Sequence, residues 1–114
     1  MPKLIEEYLK DIEVKKEEKR QELLQKTIKA LSSLSRKFPF QAAYIFGSIL
    51  KRKRFYYDSD IDIAVAGLAG KDFFSFMAKA AEILGRDVDV VQIESHRLKD
   101  KIVEEGLFWK RRWS

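Results

Sequence analysis

The chain has no cysteine, so neither a disulfide nor a thiolate metal site is open to it. Its one histidine, His96, excludes a histidine-rich zinc centre. Any metal would therefore be held by carboxylates, whose oxygen donors suit magnesium or manganese. Residues 1–37 contain no glycine, and their only proline is Pro2, at a position compatible with a first helical turn. No apolar run approaches the length of a membrane span, and the N-terminal residues lack the apolar core of a signal peptide. The expectation is a cytoplasmic protein with no membrane partner.

What is present describes one domain. The chain of 114 residues suffices for a single core; 46% hydrophobic and 36% charged residues mark a globular fold with a charge-dense surface. A net charge of +5 biases the surface toward anionic partners and equally serves solubility.

Residues 1–37 read as an N-terminal helical segment. Leu4, Tyr8 and Ile12 recur at helical spacing, and Leu24, Ile28, Leu31 and Leu34 resume the stripe. Between them Lys15 to Glu22 is almost wholly charged, with pairs such as Asp11 and Lys15 placed to support a solvated helix. One long helix, or two with a polar joint, satisfies the pattern, and its exposed stripe is a candidate docking surface. Lys37-Phe38-Pro39-Phe40 breaks the helix. Residues 38–114 form the core, ending in a basic aromatic tail. There, Ala42 to Phe46, Asp60 to Ala66 and Val88 to Ile93 read as strands. Lys71 to Leu84 reads as a helix stopped by Gly85, and Ser95 as the N-cap of a last helix ended by Gly106. The fold class is α/β (α+β), a small mixed β-sheet with helices packed on it.

The candidate site lies in Tyr44 to Val65. Asp60 and Asp62 alternate with Ile61, Ile63 and Val65, so both carboxylates fall on one strand face and the apolar residues on the other. Neighbouring carboxylates repel, and a divalent cation is the economical remedy. Gly47 allows the backbone close approach to a ligand; Ser48 adds a hydroxyl at the start of a turn whose amides suit phosphate. On the third strand Asp87 and Asp89 share a face, and either is placed to supply a third carboxylate.

The spacing of these features is specific: a strand, Phe46-Gly47-Ser48, eleven residues, then Asp60-Ile61-Asp62-Ile63, with Val88-Asp89-Val90-Val91 later. It resembles the DNA polymerase β nucleotidyltransferase superfamily and, within it, the minimal nucleotidyltransferase (MNT) family, from about Tyr44 to Gly106. The resemblance implies a nucleotidyltransferase fold with Asp60, Asp62 and Asp89 as catalytic and metal-binding residues, Gly47 and Ser48 on the nucleotide phosphates, two Mg2+ ions and ATP as substrate. Asp89 is preferred to Asp87 because its Val-Asp-Val-Val context matches. Members of this family are often paired with a HEPN-type ribonuclease toxin and act as antitoxins, transferring AMP to a toxin tyrosine. A toxin partner, in a hetero-oligomer or beside a homodimer, is thus implied. The family commonly has an arginine after the Gly-Ser; here Lys51 and Arg52 are the nearest equivalents, and Lys51 is carried as the candidate triphosphate contact.

Other residues carry plainer expectations. Lys51 to Arg54 reads as a solvated basic loop and His96 as a surface residue near a helix start. Phe73, Phe74, Phe76 and Met77 read as core. Trp109 and Trp113, among Lys110, Arg111 and Arg112, are placed to stack on nucleic acid, to clamp a partner or to pack on the core. The alternatives to an enzyme are an antitoxin acting by binding alone and a small RNA-binding protein.

Overall fold

A computed structural model of the chain describes residues 3–52, 54–55 and 58–111. The expectations for Pro2, Lys53, Arg112 and Trp113 lie outside these residues, as do Tyr56 and Tyr57.

The glycine-free N-terminal stretch is one helix, α1 (Lys3–Ser35), of 33 residues. At 1.5 Å per residue it is about 50 Å long, which accounts for a molecule measuring 57 × 27 × 23 Å. Only its second half is anchored: Arg20, Thr27, Ala30, Leu31 and Leu34 are buried, whereas Leu4 and Tyr8 are 78% and 65% exposed. Arg36 and Lys37 form a closing turn, donating to the carbonyls of Ser33 and Leu34, and Pro39 prevents continuation.

A four-stranded sheet follows, made of β1 (Ala42–Phe46), β2 (Ile61–Ala66), β3 (Val88–Gln92) and β4 (Leu107–Lys110). The order is β3-β2-β1-β4, with β1 antiparallel to both β2 and β4 and β2 parallel to β3. The parallel step needs a crossover, supplied by α2 (Phe73–Leu84). That helix buries Phe76, Ala80 and Leu84 and stops at Gly85, whose φ of 65° is the left-handed geometry of a C-terminal cap. Phe74, expected in the core, is 75% exposed: it lies off the buried stripe and stacks edge-on against Phe73.

The alternation of β2 divides the molecule. Ile61, Ile63 and Val65 point into the main core with Leu31, Leu34, Phe40, Phe76 and Val90. On the other face Ala64 meets Ile93 and Ile102, the latter from the short helix α3 (Lys99–Glu105). That helix starts later than expected: Ser95 ends a 3₁₀ turn, Ile93–Ser95, and Leu98 precedes the first helical residue. His96 is half-buried, and its Nδ1 accepts the backbone N–H of Leu98.

Part of the basic aromatic tail is the fourth strand. Trp109 packs on Phe40 with ring centroids 5.3 Å apart. Arg111 donates three hydrogen bonds, to the carbonyls of Phe40 (2.9 Å), Ser35 (2.8 Å) and Phe38 (2.7 Å), and so fastens the end of α1 to the sheet. Its charge serves structure. No helix among the described residues is long and apolar enough to cross a membrane.

Candidate functional site

The register of the sheet brings the candidate residues to one end of one face. Phe46, the last residue of β1, pairs with Asp62, so the chain leaves β1 directly over the Asp62 side chain. The next residue is Gly47, with φ of 83°. A Cβ at this position would overlap Asp62 Oδ2, so both the left-handed backbone and the lack of space require glycine. Ser48 follows within the 3₁₀ turn Gly47–Leu50, in which Ile49 is buried as the anchor. The turn closes with the Lys51 N–H donating to the Ser48 carbonyl at 2.9 Å.

Asp62 pairs with Asp89 across the parallel β2–β3 ladder, so the two carboxylates occupy one rung and one face. Asp60 stands two residues before Asp62, just ahead of β2, and is exposed. Burial, with the charges of Asp89 and then Asp60 beside it, pushes the Asp62 carboxyl up to about 6. Asp87 shares the parity of Asp89 but precedes β3; its carbonyl accepts the Ile61 N–H at 3.2 Å. Among the described residues no three acidic or imidazole groups stand close enough to enclose a metal ion as they are. The donor chemistry nevertheless suits one: a half-buried carboxylate repelled by two others, beside a cradle that any side chain at residue 47 would fill, would be relieved by a divalent cation.

Lys51 is exposed at the exit of the turn. Arg52, the other basic candidate, leans back on α1, its Nε 3.7 Å from Glu17. Beside Asp60 a cleft of about 1090 Å³ opens between α1 and the start of β2, lined by Lys16, Lys19, Lys26, Phe55, Asp60 and Arg86 among others. Sequence reasoning passed over one contact altogether. Arg20, 8% exposed, donates from Nη1 to the Ile49 carbonyl at 2.7 Å, tying α1 to the turn that carries Ser48. The available signal was its helical spacing with Leu24, Thr27 and Leu31, which sets a cation on the core-facing stripe; the charged run around it hid that.

With this geometry in view, the family model for "Polymerase beta, Nucleotidyltransferase" matches residues 25–111. The chain belongs to that nucleotidyltransferase family. The matched region holds the turn, all three carboxylates, the sheet and the last third of α1. Solved structures of similar fold agree. A toxin–antitoxin structure with AMP-PNP is 29% identical, with a TM-score of 0.61 over 75% of this chain and 74% of that one. A mutant of the MntA-HpeT toxin–antitoxin, with two aspartates two positions apart changed to glutamate, is 28% identical, with a TM-score of 0.60 over 75% and 74%. A minimal nucleotidyltransferase is 25% identical, with a TM-score of 0.62 over 77% of this chain and 93% of that one. No curated protein matches the chain.

Proposed function

We propose that the chain is a nucleotidyltransferase antitoxin that transfers AMP from ATP to a hydroxyl, a tyrosine, of a HEPN-type toxin. The observation that carries this reading is the Asp62–Asp89 rung with Gly47 packed against Asp62, in a chain of the nucleotidyltransferase family. The similarity to toxin–antitoxin structures, one with AMP-PNP, supports the antitoxin role and the adenine nucleotide. The Asp-x-Asp spacing of Asp60 and Asp62 equals that of the aspartates changed in the MntA-HpeT mutant.

On this reading each residue has a role that its position supports. Gly47 presents bare backbone where the triphosphate must approach, and the Ser48 hydroxyl donates to a phosphate oxygen. Lys51 offers a point charge to the β- and γ-phosphates. Asp60, Asp62 and Asp89 would hold Mg2+, which when bound neutralises charge on the triphosphate and on the attacking and leaving oxygens. Asp89, at the exposed side of the rung, accepts the proton of the incoming hydroxyl. Its oxygen bonds to the α-phosphorus, the bond from that phosphorus to the bridging oxygen breaks, and pyrophosphate leaves.

The test uses the protein, the product of the adjacent gene, magnesium, and ATP labelled on the α- or, separately, the γ-phosphate. Label passes to the partner from the α position only, and the Asp60→Ala, Asp62→Ala double variant loses at least about a thousandfold in rate while remaining folded. Transfer from γ would mean a kinase. No transfer from either position, with a stable complex, would assign neutralisation by binding alone.

A further inference from the structure

The turn that carries Ser48 is held from both ends. At its start Gly47 is wedged against Asp62. At its end the Lys51 N–H closes the turn on the Ser48 carbonyl, and the carbonyl of Ile49 comes next along the chain. A guanidinium arriving from 29 residues earlier bonds to it: Arg20 Nη1 donates to the Ile49 carbonyl at 2.7 Å. Two further N–H groups of Arg20, on Nε and Nη2, donate to the two Glu17 oxygens at 2.9 and 2.5 Å. Glu17 also receives Arg52, which follows the turn, at 3.7 Å. One carboxylate on the long helix therefore gathers the strap and the exit of the nucleotide turn.

Such an arrangement is a poor way to gain stability. Taking a guanidinium out of water offsets most of what its ion pair returns, and an apolar side chain at residue 20 would serve the core at least as well. What three directed bonds in a planar fork supply is orientation. We propose that Arg20, held by Glu17, is a positioning residue for the nucleotide: it sets the Gly47–Leu50 turn so that Ser48 and the Gly47 backbone meet the triphosphate. This inference rests on the nucleotidyltransferase reading. It also makes α1 part of the site, since a shift of the helix is passed through Arg20 to the Ile49 carbonyl and so to the turn that receives the triphosphate.

The experiment compares wild type with Arg20→Met, which keeps the buried alkyl stem, and Arg20→Lys, which retains the charge on a single donor nitrogen and cannot hold Glu17 and the Ile49 carbonyl together in fork geometry. Binding of ATP with Mg2+ is measured by calorimetry, KM and kcat by α-phosphate transfer, and folding by thermal melting. Arg20→Met weakens ATP binding at least tenfold and raises the KM for ATP by a similar factor, while kcat changes less than threefold and the KM for the acceptor is unmoved. Arg20→Lys falls between the two. A purely structural tie would lower the melting temperature and leave the KM for ATP within twofold of wild type, which overturns the proposal. Should Arg20→Met fail to fold, an unchanged ATP affinity in folded Arg20→Lys overturns it equally. Absence of ATP binding by the wild type would overturn the function as well, whereas equal binding by wild type and variant removes only the role of Arg20.

Discussion

The two faces of β2 treat burial in opposite ways. Ile61, Ile63 and Val65 are wholly buried against the core that α1 and α2 complete, and each gains from leaving water. Asp62 lies between two of them, half-buried on the other face, and burial raises its carboxyl instead of settling it. Six residues thus hold the sheet together on one side and carry an unrelieved charge on the other. Stability and chemistry are separated by the two-residue repeat of a strand alone, with no change of element. Substitutions on the two faces should therefore fail in different ways.

The largest effect tests the apolar face. Ile63→Ala removes a fully buried side chain from the centre of the core and costs about 2–5 kcal/mol, read as a lower midpoint in urea with an unchanged slope. Its ATP affinity, measured where the variant is still folded, stays near that of wild type. Loss of nucleotide binding in step with stability would show that the faces are not independent.

Gly47 is where the separation narrows, because the turn sits against Asp62 from the carboxylate side. Gly47→Ala must adopt a φ near 83° and displace the Asp62 side chain, at a cost of about 1–3 kcal/mol. The loss should be smaller than that of Ile63→Ala, yet transfer activity falls to background. A variant with reduced stability and intact transfer would remove Gly47 from the site.

The carboxylate face was legible in the sequence because its information is local. Two aspartates in alternation, a glycine after a strand and a helix stopped by Gly85 each follow from short-range geometry. Preference for Asp89 over Asp87 came from its sequence context, and the structure adds a physical difference: Asp89 shares the rung of Asp62 and acts on its charge. What escaped notice depends on contacts distant in the chain. β4 is four residues with no hairpin signal, and it is a strand because the free edge of β1 accepts it and Phe40 accepts Trp109. Arg111 read only as one charge of a basic aromatic tail, yet three carbonyls between Ser35 and Phe40 claim it. Arg20 was hidden in a charged run for the same reason, its partner being Ile49. Phe74 shows the converse: a fixed helical period does not say how wide the buried stripe is.

The smallest effect sharpens the comparison most, because it detects the strain on Asp62 directly. Its ordinary value of 3.8 rises to about 6 in the fold. A raised carboxyl favours the protonated form, so its contribution is fully present below about pH 4 and is lost as the pH climbs through 6. Glu17 runs the other way: hydrogen bonding to Arg20 lowers it from 4.5 to about 2, so its contribution is complete above pH 4.5 and is lost only on further acidification. Between pH 5 and 7, then, Asp62 changes and Glu17 does not. Without divalent cations the wild type should melt lower at pH 7 than at pH 5, by a few degrees, corresponding to about 1 kcal/mol once solvent screening of the half-buried group is allowed for. Asp62→Asn should remove that dependence and raise the melting temperature at pH 7, and millimolar Mg2+ should do the same for the wild type. The Ile63→Ala variant, weakened on the opposite face, should keep the full pH dependence at its lower melting temperature. A wild-type profile from pH 5 to 7 that Asp62→Asn leaves unaltered would mean that the carboxylate face carries no strain for a cation to relieve.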